Sequence, residues 1–155
     1  MVTILMDSAN VKMIDITEKK PVYREAIAEG RIILKPSTVK LVKEGKIEKG
    51  DVESVASVAA ILAVKKTPEL IPLCHPIPIH GVIVEFSYYD NSIVVRVRVK
   101  TKAETGVEME ALAGVSSALL AIWDMVKKYE KDKAGQYPVT RITDIRVVSK
   151  IKGSS

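Results

Sequence analysis

The sequence predicts an α+β protein, a ferredoxin-like antiparallel sheet with helices packed on one face. Three observations carry that expectation. Val95, Val97 and Val99 alternate with Arg96, Arg98 and Lys100, a period of two that suits a strand with one buried and one wet face. Leu112, Val115, Leu119, Ile122, Val126 and Tyr129 recur at helical spacing and form the apolar stripe of a long amphipathic helix. The order of elements, strand, helices, strand, strand, helix, strand, is that of a split βαβ sandwich.

Residues 1–20 are polar, lack a sustained period and read as a mobile N-terminal arm. Tyr23 to Leu34 ends in the β-favouring run RIIL ahead of Pro36 and reads as the first strand. Ser37 to Glu44 is a short amphipathic helix that Gly45 stops. In residues 52–66, Val55, Val58, Ala59, Leu62 and Ala63 recur at helical spacing, with Asp51 as N-cap, so this helix should be buried. The stretch TPELIPLCHPIPIH holds four prolines, which fix φ and remove donors, and reads as a stiff connector rather than a helix. Residues 80–89 and 92–102 form a hairpin with Asp90-Asn91 at its turn. Thr105 to Glu108 matches a capping box at the start of the long helix, which should run to about Lys133. AGQYP breaks it, and VTRITDIRVV supplies the last strand.

With 155 residues the chain is sized for one domain, and its 47% hydrophobic and 28% charged composition is that of a globular protein. A net charge of +5 favours an anionic ligand without choosing one. Aromatic residues are scarce, which weakens a reading as a base-stacking protein. The single cysteine, Cys74, excludes an intramolecular disulfide and a multi-cysteine zinc site, and it points to a reducing compartment, the cytoplasm. MVTILM has no basic segment before it and is soon followed by Asp7, unlike a secretory signal. No apolar run approaches the roughly 20 residues that span a bilayer, so no membrane partner is expected.

Several residues could carry chemistry. Lys49 precedes Gly50-Asp51 and a helix N-terminus, where free amides and a lysine together favour anions; the string lacks the spacing of a phosphate-binding glycine loop. His75 sits on the proline-stiffened connector beside Cys74 and could donate, accept or clamp near neutral pH. Cys74, His75 and His80 lack the paired spacing of a structural zinc site, and a nucleophilic Cys74 would need a nearby base. Glu108 and Glu110 are two positions apart and point to different sides of the helix; Glu110 is the one not occupied by capping. Asp124 and Lys127 share one helix side, either as a surface ion pair or as an acid and base that tune each other.

VYREA, KGDV, LIPLCHP, TGVEMEAL and IWDMVKK occur in that order, and together they resemble the MoaC family, the cyclic pyranopterin monophosphate synthases of molybdenum cofactor biosynthesis. The resemblance runs from about Asp15 to Lys152, with LCHP and TGVEMEAL its most specific parts. It implies one catalytic domain over 21–152 with a short tail at 153–155. It also implies a homohexamer, a trimer of dimers, with active sites at the dimer interface. The implied reaction is a lyase reaction, from (8S)-3′,8-cyclo-7,8-dihydroguanosine 5′-triphosphate to cyclic pyranopterin monophosphate and diphosphate. Position by position, Asp124, Lys127 and Lys49 correspond to catalytic residues. Leu73, Cys74 and His75, with Met109 and Glu110, correspond to substrate-binding segments, and Arg24 and Lys150 to basic residues of the site; VVSKIKG departs from the lysine- and glycine-rich tail of the family. The resemblance implies no redox cofactor, no obligatory metal and no nucleic-acid partner, with magnesium an option as counter-ion of the triphosphate. The rivals from other classes are a small basic RNA-binding domain of the same topology, which needs aromatics exposed on central strands, and a non-catalytic ligand sensor.

Overall fold

Val95, Val97 and Val99 are fully buried, each worth roughly 1.5–3 kcal/mol, while Arg96 and Arg98 project from the opposite face and reach Glu29 and Glu25. They lie on β3 (Ser92–Ala103), a central strand of a four-stranded sheet. The structure, a computed structural model, describes residues 10–154. The apolar start, the rest of the predicted arm before Asn10 and Ser155 of the predicted tail lie outside the described residues.

The other strands are β1 (Val22–Ile33), β2 (Gly81–Tyr89) and β4 (Arg141–Lys152), in the antiparallel order β2-β3-β1-β4. Between β2 and β3, Asp90-Asn91 form the two-residue turn that the hairpin pattern predicts. The helices α1 (Pro36–Lys43), α2 (Val52–Lys65), α3 (Thr67–Leu70) and α4 (Glu108–Glu130) complete the order. α4 lies against β1, β3 and β4, and α2 against α4 and β2. The expected sandwich is therefore present.

Four local readings need correction. In α2 the buried side is Val52, Ala56, Ala60, Ala63 and Val64, whereas Val55, Val58 and Leu62 face outward. Small side chains occupy the inner row because α4 approaches closely at Gly114, where an added Cβ would meet Val64 Cγ2 at 2.9 Å. A helix apolar on both sides offers two stripes to a periodicity argument, and size did not decide between them. Thr105 does not cap α4. Val107 occupies the N-cap with no side-chain hydrogen bond, and Glu108 is drawn instead to Lys150. Thr67–Leu70 forms one helical turn inside the proline-rich connector, with Pro68 in its first turn where a missing N–H is harmless. α4 stops at Glu130 rather than Lys133, because Asp132 Oδ1 accepts from the Ala134 and Gln136 N–H groups in a competing turn.

α4 is long and apolar enough, by length and composition, to cross a membrane, but Glu110 and Asp124 interrupt its apolar run and half of its apolar window is buried within this fold. The helix is held at its end by Glu130. That fully buried carboxylate accepts from the Lys35 N–H at 3.2 Å, from the Thr140 hydroxyl at 2.8 Å and from the Thr38 hydroxyl. It thereby ties the start of α1, the end of α4 and the approach to β4 into one corner, and a buried carboxylate with three donors is well satisfied.

Candidate active site

The chain reaches Lys49 through a tightly specified turn. α1 closes in a Schellman motif: Gly45 sits at φ +68°, its N–H donating to the Val42 carbonyl at 3.1 Å and the Lys46 N–H to that of Leu41 at 2.9 Å. Buried Ile47 anchors the turn, and the Gly50 N–H donates back to its carbonyl at 3.1 Å. Gly50 has φ +117°, a conformation that residues with a Cβ rarely adopt. Asp51 then caps α2, accepting from the Ser54 N–H at 3.0 Å as its position predicts. Lys49 is thus fixed between a buried anchor and a helix cap.

Its ammonium donates to the Asp124 carbonyl at 2.9 Å and lies 3.1 Å from Asp124 Oδ2. Lys127 Nζ lies 3.1 Å from the other carboxylate oxygen. The pair read from spacing is therefore a triad, with two cations on one carboxylate. Hydrogen bonds from Lys127 and Lys49, together with their charges, hold the Asp124 carboxyl below the usual carboxylate range. The three side chains are between two-fifths and two-thirds exposed, so an incoming anion can reach both ammonium groups.

A second cluster forms at the other end of α4. Glu110 is 1% exposed, its Oε2 faces the Cys74 thiol at 3.7 Å, and its Oε1 has no hydrogen-bond partner among the described residues. Burial pushes the Glu110 carboxyl up, and the charge of Glu108 adds to the effect. Burial and then Glu110 push the Cys74 thiol up as well, which disfavours a thiolate nucleophile and leaves Cys74 as a donor. His75 Nε2–H donates to the Ile14 carbonyl at 2.6 Å, an arrangement that leaves Nδ1 as an acceptor. Residues 13–17, His75 and Glu104 line a shallow, open concavity of about 510 Å³. His80 is spoken for, its Nδ1 accepting from the Lys102 N–H at 3.2 Å.

Arg24 is buried, with Nε donating to the Ala103 carbonyl at 3.2 Å and one amino group to that of Glu104 at 3.1 Å. It braces the loop entering α4. Lys150 lies 2.5 Å from Glu108, near Arg24's end of the sheet. Burial works to raise the Glu108 carboxyl, but the Lys150 hydrogen bond and charge, aided by Arg24, hold it below its ordinary value. Leu73 and Met109 are about half exposed.

The predicted residues thus fall into two groups. Lys49, Asp124 and Lys127 meet at one end of α4; Cys74, Glu110, Arg24 and Lys150 gather with His75 and Met109 around its start. Glu110 and Asp124 are fourteen residues apart on one helix, hence about 21 Å, and lie nearly on the same side because fourteen residues make almost four turns.

A model of the MoaC family matches residues 13–153. The chain belongs to the MoaC family. Among its relatives, the probable cyclic pyranopterin monophosphate synthase of Pyrococcus horikoshii is 60% identical over 147 residues, 95% of this chain and 92% of that one. A protein of the same description from Aeropyrum pernix is 63% identical over 141 residues, 91% and 97% of the two chains. One from Methanospirillum hungatei is 52% identical over 147 residues, 95% and 94%.

Sequence reasoning missed two contributors to these clusters. Residues 13–17 of the predicted arm lie over His75, and the backbone carbonyl that engages the ring leaves no trace in residue type. Glu48 and Tyr129, which fasten the Lys49 turn to α4 through a 2.9 Å hydrogen bond, are eighty-one positions apart and carry no motif.

Proposed function

We propose that this MoaC-family chain is a cyclic pyranopterin monophosphate synthase, a lyase that converts (8S)-3′,8-cyclo-7,8-dihydroguanosine 5′-triphosphate into cyclic pyranopterin monophosphate and diphosphate. The observation that carries the reading is the carboxylate shared by two exposed ammonium groups, in a chain 52–63% identical to proteins of that description. Closing the cyclic phosphate requires a substrate hydroxyl to attack the α-phosphorus, losing a proton while diphosphate departs. An ionised Asp124 suits the proton acceptor, and Lys127 suits the donor for ring opening and pterin formation. Lys49 places charge beside the phosphates as negative charge builds on the leaving diphosphate. Magnesium would accompany the triphosphate; among the described residues no group of three His, Cys, Asp or Glu is arranged to hold a metal ion.

At the other end of α4, Glu110 and His75 Nδ1 suit the hydrogen-bonding edge of the base and ring, with Cys74, Leu73 and Met109 as the wall, while Arg24 and Lys150 add positive charge. A distance of about 21 Å is too long for one small nucleotide to bridge within one subunit. We therefore take the site to be built by two subunits, the Asp124 end of one α4 facing the Glu110 end of its partner's. A two-fold axis perpendicular to α4 would produce that arrangement, because it runs the two helices in opposite directions. The outward apolar row of Val55, Val58 and Leu62 on α2, with Leu120 on α4, supports such a surface. The reading extends to a homohexamer of three such dimers in the cytoplasm.

The RNA-binding alternative lacks its platform. Phe86 and Tyr88 lie on the edge strand β2 and pack against the core rather than standing exposed on central strands. Incubating the purified protein with the cyclised nucleotide should release one diphosphate per cyclic pyranopterin monophosphate formed. A folded protein that releases no diphosphate at saturating nucleotide, yet binds single-stranded RNA, would overturn the reading.

A further inference from the structure

We propose that Tyr129 is a positioning residue for Lys49, its hydroxyl clamping the Lys49 turn to α4 through the Glu48 backbone. This inference rests on the synthase reading for its effect on turnover, but the clamp itself is tested without turnover.

The turn from Gly45 to Gly50 contains two residues at positive φ and would be loose if held only at its ends. Three contacts hold it. Ile47 is buried, the Glu48 N–H donates to Tyr129 Oη at 2.9 Å, and the Glu48 carboxylate pairs with Lys128. The Tyr129 ring packs against the core, and the Lys128 ammonium lies 5.4 Å from its centroid, so the hydroxyl is presented from a fixed base. Tyr129 also belongs to the same helix as Asp124, five residues on. The helix that supplies the carboxylate thus supplies the fastener that brings the cation to it.

Lysine makes such a fastener necessary. Its ammonium ends a flexible four-carbon stem, and holding it on one carboxylate loses rotamer freedom unless its backbone is already placed. Glu48 is the residue immediately before Lys49, so the N–H that Tyr129 captures is one peptide away from the cation it positions. Around Asp124 the facing charges are Lys49 and Lys127, with Glu48 and Lys128 paired beside them.

Tyr129→Phe removes the hydroxyl and keeps the ring. The readout is the titration of the Asp124 carboxyl, followed by carbon-13 NMR in the full-length protein, together with the affinity for inorganic triphosphate. Tyr129→Phe should move the Asp124 titration upward, in the direction that Lys49→Ala moves it. It should weaken triphosphate binding about two- to tenfold, the range expected from one hydrogen bond. Adding Tyr129→Phe to Lys49→Ala should produce no further change in either quantity. For the synthase reaction, kcat should fall with the unfolding midpoint nearly unmoved. If Tyr129→Phe does not fold, Glu48→Gln breaks the ion pair of the clamp and should still raise the Asp124 titration and weaken triphosphate binding, although loss of its negative charge alone would do the reverse. A folded Tyr129→Phe whose Asp124 titration and triphosphate affinity match those of the parent would overturn the proposal. Shifted titration with no turnover in the parent would instead reject the synthase reading and leave the clamp standing.

Discussion

Asp124→Asn should fold normally and lose on the order of 10²–10⁴ in turnover, the range associated with one general acid–base group. Its side chain is 61% exposed and supports no buried contact, so stability has little reason to change. Asparagine preserves shape but keeps an acceptor oxygen for only one of Lys49 and Lys127, which contact different carboxylate oxygens. What disappears is the charge and the capacity to take a proton. Because both lysines hold the Asp124 carboxyl below its usual range, it is ionised throughout the neutral region and ready to accept rather than donate. The loss should therefore appear in kcat and in kcat/KM, with KM nearly constant, as for an interaction made in the transition state. Steady-state kinetics of the folded variant measure it; parental turnover would remove Asp124 from the chemistry.

Glu110→Gln should have the opposite pairing of effects, a more stable protein that no longer binds its nucleotide well. Glu110 is buried with one oxygen unpartnered, and burial raises its carboxyl above the ordinary value of 4.5. The folded state therefore retains a proton at pH values where the unfolded chain has released it. Stability from this source is present at low pH and falls as pH rises from about the ordinary value through the raised one. Glutamine stays neutral, so the variant should lose that decline and exceed the parent above the window, where the parent buries a charge. Unfolding midpoints from pH 4 to pH 8 test this; parallel curves would contradict it.

The sheet was legible because each strand announces itself. The Val95–Lys100 alternation and the two-residue turn at Asp90-Asn91 are local codes, and the pairing of β3 with β2 follows from them. α2 was misassigned by face because Val55, Val58 and Leu62 are as apolar as the row that is buried, and only the close approach of α4 at Gly114 selects the alanines. The candidate site was legible in its residues and not in its arrangement. Lys49, Asp124 and Lys127 could each be named, yet their union depends on a turn folded back over seventy-five positions. Glu110 looked like the freer carboxylate of its helix turn, since burial is a tertiary property that its neighbours in sequence do not express. The thiol beside it, the carbonyl over His75 and the hydroxyl beneath Lys49 belong to the same class of information.

On the proposed reading, neither end of α4 is an active site by itself, and two subunits complete one. Mixing folded, inactive Asp124→Asn and Glu110→Gln chains, with subunit exchange, tests it most directly. In a mixed dimer one site carries both substitutions and the other carries neither, so activity should return to about a quarter of the parental value at equal mixing. Mixtures that exchange subunits and remain as inactive as their components would show that each chain holds its own complete site, and would contradict the account.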